Sequence, residues 1–420
     1  MTEPGHTAPH VRFAPSPTGR LHPGNARTAL VNALFARRHG GRFTLRIDDT
    51  DPEREVAGAV DAIRADLRWL GIEPDDTFCQ GDRSTNYAAA MERLRAADAV
   101  AADGSAWRLR LAPGRVAWRD AIHGEMVVDA RHLAEPVLLR GDGLPTYTLA
   151  SVVDDLETGV THVIRGDDHL TNTAVHLRVI EALGGAPPVF AHLPLVSDAD
   201  GAPLSKRNDA TSLARLRDHG VEPEPLAAYL VALGTGHAAD ATADLAAGVD
   251  LAAYGTAPPR FDPRELAQVQ DRWLQALDAE AVNARRTPRG GPAVRDAVWL
   301  AIRGNLLEKR PDDTWAALPR LDALDAWLAI LETPFRGVIA DDDAADLALA
   351  ADLLEDGADG GDAAVGWLDT VSARTGRRGR RLRLPIRLAL TGRPDGPPLG
   401  DLLAILGLER SRRRLLGETA

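Results

Sequence analysis

The spacing of hydrophobic residues changes along this chain and divides it into two regions. Up to about residue 230, alternating runs such as Val11 and Phe13, or residues 43–47, are followed by apolar residues at helical spacing, as in residues 56–70. Alternation is typical of strands, and a repeat near 3.6 residues is typical of helices. Strand–helix–strand order favours a parallel sheet that binds ligands at the carboxyl ends of its strands. We therefore predict an α/β, Rossmann-like first region.

Beyond about residue 230, apolar residues recur mostly at helical spacing, with Gly and Pro between the helical segments. This pattern predicts a mostly α-helical C-terminal region. A chain of 420 residues is long enough for two or three domains. We place the divisions at residues 1–230, 231–290 and 291–420. The residues predicted to form the helical core are Leu266, Trp273, Trp299, Ile302, Trp327 and Leu328.

Residues 16–25 join the first predicted strand to the first predicted helix and include His22, Gly24 and Asn25. Free N–H groups and the positive end of the helix dipole attract phosphate to a helix start, and Gly24 has no side chain to block a close approach. His22 can donate a further hydrogen bond to a phosphate oxygen. By itself the motif is weak, because a histidine at a helix start is more often a cap or a surface residue.

A second short segment contains Ser205, Lys206 and Arg207. Most such basic triplets belong to solvated loops, so this one is also weak when it is taken alone. Together, however, the two segments look like the two halves of one ATP site. Lys206 and Arg207 would then place positive charge beside the phosphates.

Longer motifs, in the same order, resemble the glutamyl-tRNA synthetases over nearly the whole chain. They are residues 12–19, 45–51, 145–155, 161–169 and 385–392. The resemblance implies an enzyme that uses ATP, with Mg²⁺ bound to it, to attach L-glutamate to tRNA through a glutamyl-adenylate. It also implies a catalytic domain over residues 1–230, a stem-contact region over 231–290 and an anticodon-binding domain over 291–420.

The resemblance further implies roles for individual residues. His22, Lys206 and Arg207 align with catalytic residues of the family. The glutamate pocket would contain Arg12, Ser16, Asp48, Tyr147, Ser151 and Arg165, with Asp48 at the amino group. Arg12 and Arg165 suit this role because a guanidinium can hold a carboxylate through two parallel hydrogen bonds. The ATP-binding residues would be Ser16, His22, Gly24, Asn25, Asp168, Val196, Ser205 and Lys206.

The chain departs from the family pattern at several positions. Asp48 stands where many relatives carry Glu, Ser151 where some carry Asn, and Asn25 where the first motif usually ends in His. Pro203 replaces a lysine of the second motif and removes one positive charge. Between about residues 96 and 115 the family inserts a subdomain that grips the acceptor end of tRNA, sometimes with zinc. This insertion is shortened here, and we expect no zinc site.

Arginines are concentrated near the C-terminal end, although the whole chain has a net charge of −12. We predict that Arg377, Arg378, Arg380 and Arg381 bind the tRNA backbone, because clustered arginines can follow a line of phosphates. We expect no DNA partner. In the alternative interpretation, the cluster is a solvated face that balances the acidic segment 341–362.

Composition also bears on the cellular compartment. A single cysteine, Cys79, excludes a disulfide framework and fits a reducing compartment. No apolar run is long enough to span a membrane, and residues 1–10 lack the features of a signal peptide. We therefore expect a cytoplasmic protein that is not associated with a membrane, and a monomer.

Alternative interpretations remain open. Arg46 could form salt bridges with Asp49 or Asp51, the acidic run could cap a helix after Pro52, and Tyr147 could be a core residue. The chain could charge glutamine tRNA as well, transfer its glutamyl group to another acceptor, or bind tRNA without charging it. A metal hydrolase is a weaker alternative, because adjacent acidic residues on strands point to opposite faces. Its residues would be Asp154, Asp155, Asp167, Asp168 and His169.

Overall fold

A computed structural model of the chain describes residues 8–198, 201–202, 204, 212–306, 318–354 and 361–420. Two compact units, Met1–Asp262 and Pro263–Ala420, make up the chain. The predicted three-part division at residues 230 and 290 stays a prediction. Pro203, Ser205, Lys206 and Arg207 lie outside the described residues.

The first unit contains parallel strands in the order expected for a Rossmann-like domain. One sheet has the order β1-β2-β3, and a second has the order β7-β6-β10-β9, in which only the β6–β7 pair is antiparallel. The N–H of Thr161, just before β9, donates to the carbonyl of His10 in β1 at 2.9 Å, so the two sheets adjoin. The strands are β1 His10–Phe13, β2 Arg42–Ile47, β3 Asp76–Cys79, β4 Val100–Asp103, β5 Ala106–Leu109, β6 Arg115–Asp120, β7 Gly124–Asp129, β8 Val137–Leu139, β9 His162–Gly166 and β10 Val189–Leu193.

A small antiparallel sheet has the order β4-β5-β8, and its strands β4 and β5 lie within residues 96–115, where the sequence predicts a shortened insertion. Helices precede or follow most strands of the first unit, but no α-helix lies between β4 and β8. They are α1 Pro23–Arg38, α2 Ala59–Trp69, α3 Ser84–Ala96, α4 Tyr147–Glu157, α5 Leu170–Ala182, α6 Leu213–Asp218, α7 Pro223–Ala232 and α8 Leu245–Gly248.

The second unit is helical, as the hydrophobic spacing predicts. All six residues predicted for its core are buried. Its helices are α9 Pro263–Ala276, α10 Ala279–Arg286, α11 Asp296–Ile302, α12 Ala323–Glu332, α13 Ala344–Asp352, α14 Gly361–Thr375, α15 Arg380–Thr391, α16 Leu399–Leu406 and α17 Leu408–Leu415. Among the described residues, no helix is both long enough and apolar enough to cross a membrane.

The predicted start of α2 needs correction, and β2 is buried on both faces. Thr44 and Arg46 are buried as well as Phe43, Leu45 and Ile47, because the strand is central in its sheet. Helix α2 begins at Ala59 rather than near Val56, which is 49% exposed. Gly58 precedes the helix with φ of 78°, a conformation that favours glycine and ends the preceding loop.

Candidate active site

A cavity of about 670 Å³ opens where β1, β2, β9 and β10 end. Phe13, Asp48, Gly166 and Leu193 lie at or just after the ends of these four strands and line it. The carboxyl ends of parallel strands meet at one edge of a sheet, so residues far apart in sequence converge there. Ser16 and Asp48 lie on this one cavity, as the strand order predicts.

Most of the residues singled out in the sequence reach the cavity wall. Ser151 does not, because it is completely buried and its hydroxyl accepts a hydrogen bond from Arg46 at 3.3 Å. Ser205, Lys206 and Arg207 lie outside the described residues. The predicted residues that line the cavity are Arg12, Ser16, His22, Gly24, Asn25, Asp48, Tyr147, Arg165, Asp168 and Val196.

His22, Gly24 and Asn25 form one side of the cavity at the start of α1. His22 is the N-cap, and its Nδ1 accepts the Gly24 N–H at 3.1 Å, which leaves the ring proton on Nε2. A Cβ on Gly24 would lie only 3.0 Å from Cε1 of the His22 ring. The Asn25 Oδ1 is buried without a hydrogen-bond partner among the described residues. This helix start is therefore suited to a ligand that carries both acceptors and donors.

Two arginines and two aspartates form a buried chain of ion pairs beside the cavity. Asp155 accepts from Arg12 Nε at 3.0 Å and from Arg46 Nη1 at 2.8 Å. Asp48 accepts from Arg46 Nε at 2.7 Å. Burial opposes ionisation of Asp155, but Arg12 and Arg46 outweigh it and lower its pKa. Burial raises the pKa of Asp48 and is only partly offset by Arg46. The pairing of Arg46 with Asp49 or Asp51 that the sequence left open is replaced by these two contacts.

Arg165 differs from Arg12 and Arg46, which are both held by carboxylates. Its side chain is 95% buried, and the groups that accept its hydrogen bonds are all neutral: Tyr147 Oη at 3.2 Å, Thr173 Oγ1 at 2.7 Å and His192 Nε2 at 3.3 Å, besides a backbone carbonyl. Burial lowers its pKa, and Arg12 adds to the effect. Among the described residues it has no ion pair. A buried cation on a cavity wall without a counter-charge favours an anionic ligand.

Sequence reasoning gave no role to several residues of the cavity wall, and Arg27 and Gly166 are two of them that shape the wall. Arg27 donates to the carbonyls of Pro194 and Leu233, both at 2.8 Å, and thereby ties α1 to the segment that follows β10. Gly166 ends β9, and a Cβ there would collide with the Asp168 carboxylate. The partners of Arg27 lie more than 160 residues away, so no local pattern could have revealed its role.

The acidic residues proposed for a metal hydrolase are engaged elsewhere or belong to other elements. Asp154 and Asp155 lie in α4 rather than on a strand, and Asp154 accepts from Gln80, Arg83 and Tyr87. In the part of the chain that the structure describes, no group of three His, Cys, Asp or Glu residues could hold a metal ion. The geometry does not favour the hydrolase interpretation.

The predicted basic cluster of the second unit is only partly available to a ligand. Arg377 forms ion pairs with Asp343 and, at 2.5 Å, with Asp346, as the interpretation of a charge-balanced face expects. Arg378, Arg380 and Arg381 are instead exposed around the start of α15 and form no ion pair with any described residue. These three arginines therefore remain free to meet phosphate.

Family models match most of the chain. The model "tRNA synthetases class I (E and Q), catalytic domain" matches residues 9–110 and 95–249. The model "Anticodon binding domain" matches residues 341–417.

Individual proteins are similar over almost the full length. The chain is 44% identical to "Glutamate--tRNA ligase 2" of Methylobacterium sp. (strain 4-46), with 98% of this chain and 100% of the relative covered. It is 42% identical to a protein of the same name from Methylorubrum populi, with 98% and 99% covered. Among solved structures, it resembles a glutamate tRNA ligase from Elizabethkingia meningosepticum in complex with its amino acid. That match has a TM-score of 0.80 and 24% identity, and it covers 97% of this chain and 98% of the other.

Proposed function

This chain belongs to the glutamate–tRNA ligase family of class I tRNA synthetases, and from that membership we propose how its site attaches L-glutamate to tRNA with ATP. The observation that carries the proposal is Arg165. It is a buried guanidinium on the cavity wall with no ion pair among the described residues. Glutamate has a side-chain carboxylate that can supply the missing negative charge.

The remaining parts of glutamate have complementary groups on the same wall. Arg12 and Tyr147 flank the position of the side-chain carboxylate, and Ser16 offers a hydroxyl. Asp48 would meet the ammonium group. The side chain of Asp48 is one methylene shorter than the Glu that many relatives carry here. Two hydrogen bonds from Arg46, at 2.7 and 3.3 Å, fix the position of its carboxylate. Ser151 lies behind the cavity wall and would affect glutamate binding only through its hydrogen bond with Arg46.

ATP would bind across the start of α1. Its phosphates would meet the free N–H groups of the helix start and the Nε2–H of His22, while Asn25 Oδ1 provides a buried acceptor. Asp168 and Val196 would face the nucleoside. By family resemblance, Ser205, Lys206 and Arg207 would interact with the phosphates, and Mg²⁺ would neutralise the pyrophosphate.

The reaction then has two steps. In the first, a carboxylate oxygen of glutamate forms a bond to the α-phosphorus, and the bond from that phosphorus to pyrophosphate breaks. The negative charge that accumulates is stabilised by the helix start, His22 and Lys206. In the second, the 2′ hydroxyl of the terminal adenosine attacks the glutamyl carbonyl, its proton is lost and AMP leaves.

The tRNA would be held chiefly by the second unit and only weakly by the shortened insertion. Strands β4 and β5 are joined by just Gly104 and Ser105, and the catalytic-domain model matches in two pieces that meet near residues 95–110. Arg108 and Arg110 on this hairpin pair with Asp103 and Asp98. They therefore offer little charge to phosphate. Arg378, Arg380 and Arg381 would bind the anticodon stem or loop, and the protein would act as a cytoplasmic monomer.

The direct test is to charge purified glutamate and glutamine tRNAs with labelled glutamate, in the presence and absence of ATP. We expect ATP-dependent charging that Lys206→Ala abolishes, and the tRNA that accepts glutamate identifies the substrate. ATP–pyrophosphate exchange without charging of either tRNA would instead favour a different acceptor. The absence of both activities would contradict the proposal.

A further inference from the structure

A buried aspartate–histidine pair lies behind Arg165 and is not part of the cavity wall. Asp120 ends β6 and His192 lies in the neighbouring parallel strand β10, and both side chains are completely buried. His192 Nδ1 and Asp120 Oδ2 are 2.5 Å apart. Asp120 also accepts the backbone N–H groups of Ile122 and His123 at 2.9 and 3.0 Å.

These contacts define the protonation state of the pair. Burial opposes ionisation of Asp120, but hydrogen bonds from His192 and from the two backbone N–H groups lower its pKa. Burial also lowers the pKa of His192, so the ring is neutral. Asp120 is therefore a carboxylate that can only accept, and the single proton of the imidazole lies on Nδ1.

The lone pair on His192 Nε2 consequently points toward Arg165. Nε2 is 3.3 Å from Arg165 Nε, which donates to it, and 2.9 Å from Thr173 Oγ1. The Thr173 hydroxyl accepts from Arg165 Nη2 at 2.7 Å and can donate its own proton to His192. Arg165 thus donates from two nitrogen atoms, from Nε to His192 and from Nη2 to Thr173. Whether His192 Nε2 can accept depends on Asp120, which holds the ring proton at Nδ1.

We propose that Asp120 and His192 position Arg165 for the substrate carboxylate by fixing His192 in the tautomer that is protonated at Nδ1. This inference rests on the proposed function, in which Arg165 binds glutamate. Tyr147 and Thr173 complete the frame around the guanidinium, and Asp120 is the group that contacts His192 at Nδ1. Asp120 and His192 are positioning residues, because they act on the substrate through Arg165.

The opposite tautomer would work against binding. If the proton were on Nε2, that N–H would face the Arg165 Nε–H, and two donors would oppose each other. An aspartate that orients a histidine by selecting its tautomer has the same physical role in serine proteases. Asp120→Asn is nearly isosteric and reverses the pattern, because its amide N–H can donate to Nδ1 and drive the proton to Nε2.

The first experiment measures aminoacylation kinetics for Asp120→Asn. We expect the KM for glutamate to rise roughly tenfold, as is typical when a residue that orients a ligand-binding group is lost, while the KM for ATP and kcat change little. His10→Asn is the matched control, because His10 is a buried strand histidine that hydrogen-bonds Thr44 rather than Arg165. Its KM for glutamate should stay at the wild-type value.

A second pair of variants does not depend on Asp120→Asn folding. His192→Gln can place an amide oxygen near the position of Nε2, whereas His192→Asn reaches only to the position of Nδ1. We expect His192→Asn to raise the KM for glutamate more than His192→Gln. Equal effects of the two variants would overturn the inference, because they would mean that only the loss of the ring matters.

Nitrogen NMR of protein labelled with ¹⁵N-histidine tests the tautomer itself. We expect the His192 resonances, assigned by their loss in His192→Asn, to show a proton on Nδ1 in the wild type and on Nε2 in Asp120→Asn. Arg165→Gln distinguishes failure of the positioning role from failure of the glutamate site. If it raises the KM for glutamate but Asp120→Asn does not, Asp120 does not position Arg165, although the glutamate site stands. If Arg165→Gln has no effect, the proposed glutamate site fails.

Discussion

Charge balance among single residues explains why the cavity suits glutamate. Arg12 and Arg46 are paired with the buried carboxylates of Asp48 and Asp155, whereas Arg165 forms no ion pair with any described residue. The side-chain carboxylate of glutamate, which is ionised at neutral pH, can pair with this guanidinium. A ligand with no net charge would leave a buried guanidinium without a partner, which is costly.

Gly24 should be required for ATP binding because of its contact with the His22 ring. In Gly24→Ala the new Cβ would lie 3.0 Å from that ring and force it to move. We expect a loss of about 1–2 kcal/mol in ATP binding, or roughly a tenfold rise in the KM for ATP. Steady-state kinetics can measure it. Gly248→Ala is the control, since a Cβ there would meet nothing within 4 Å, and an equal effect of both variants would contradict the explanation.

His176 should make the first unit less stable in mild acid. It is fully buried, and burial, reinforced by Arg165 and Arg12, lowers its pKa well below 6.5. Below pH 6.5 His176 therefore binds a proton in the unfolded chain but stays neutral in the folded chain. The free energy of unfolding should fall by up to about 1.4 kcal/mol per pH unit from this group, over the range between 6.5 and its lower folded pKa.

Thermal unfolding followed between pH 7 and 5 checks this expectation. His176→Gln removes the group, so its melting temperature should depend less on pH than that of the wild type. The exposed His237 provides the control through His237→Gln. Parallel curves for the wild type and His176→Gln would show that His176 does not contribute.

Long-range pairings between residues could not be predicted from the sequence. The motif around Asp48 indicates a ligand site, and local sequence offers Arg46 only nearby acidic partners. In the structure Arg46 also pairs with Asp155, 109 positions away. Likewise the Asp120–His192 pair joins two strands that no local pattern brings together. Such pairings depend on strand order in the sheet, which periodicity alone does not give.

At the scale of elements, helix α6 contacts the segment around His22 that we predict to bind ATP. It begins directly after the segment that contains Lys206. The Leu213 N–H donates to the carbonyl of Leu21, beside His22, at 3.0 Å. Arg217 in α6 pairs with the buried Asp66 of α2 at 3.1 Å and lies over the Trp69 ring. The start of α6 is therefore fixed close to the start of α1.

Arg217→Gln should weaken this link. The buried Asp66 carboxylate would lose its ion pair, which typically costs about 1–3 kcal/mol of stability. We also expect a several-fold rise in the KM for ATP. Urea unfolding and ATP kinetics measure the two effects. Arg215→Gln, at an exposed position of the same helix, should change neither. A loss of stability with an unchanged KM for ATP would show that α6 does not position the nucleotide site.

Elements with a clear period were predicted well, and the others were not. Strands β1 and β2 and helix α1 follow from alternation and from the glycine after the helix. The argument against a metal hydrolase places Asp154 and Asp155 on a strand, whereas they lie in helix α4. The helical spacing of Leu149, Val152, Val153 and Leu156 indicates this helix. The end of α2 was correct and its start was not, because the glycine turn at Gly58 interrupts an otherwise suitable apolar run.

At the scale of the molecule, an acidic chain presents a local basic surface at the start of α15. Arg378, Arg380 and Arg381 are exposed there, and basic residues in the first turn oppose the helix dipole unless an anion binds. Bound phosphates would place negative charge between the arginines and the helix start, and this would turn the repulsion into attraction. tRNA binding should therefore weaken as salt concentration rises.

Replacing these three arginines by alanine should reduce that salt dependence. We expect the negative slope of the logarithm of the tRNA association constant against log salt concentration to become shallower by about 2 to 3. Each phosphate contact contributes roughly 0.7–0.9 to this slope. Arg377→Ala is the control, because Arg377 is paired with Asp343 and Asp346 and should affect stability more than the slope. Filter binding at several salt concentrations measures the slopes. An unchanged slope in the triple variant would place the tRNA contact elsewhere.

The family and the order of the two regions could be predicted from ordered motifs spread along the chain. Membership is confirmed by the full-length relatives, and the helical second region is confirmed by the structure. The part played by each arginine of the C-terminal cluster was not predictable, because pairing of Arg377 with Asp343 depends on how α14 and α15 lie against α13.

The most direct test of the central claim compares charging of tRNA with glutamate by the wild type and by Arg165→Gln. Arg165 is the buried cation that glutamate would neutralise, so its loss should lower kcat/KM for glutamate roughly a hundredfold, which corresponds to about 3 kcal/mol. The melting temperature should be retained. If Arg165→Gln charges tRNA with glutamate as efficiently as the wild type, this cavity does not select the substrate by its carboxylate, and the account is wrong.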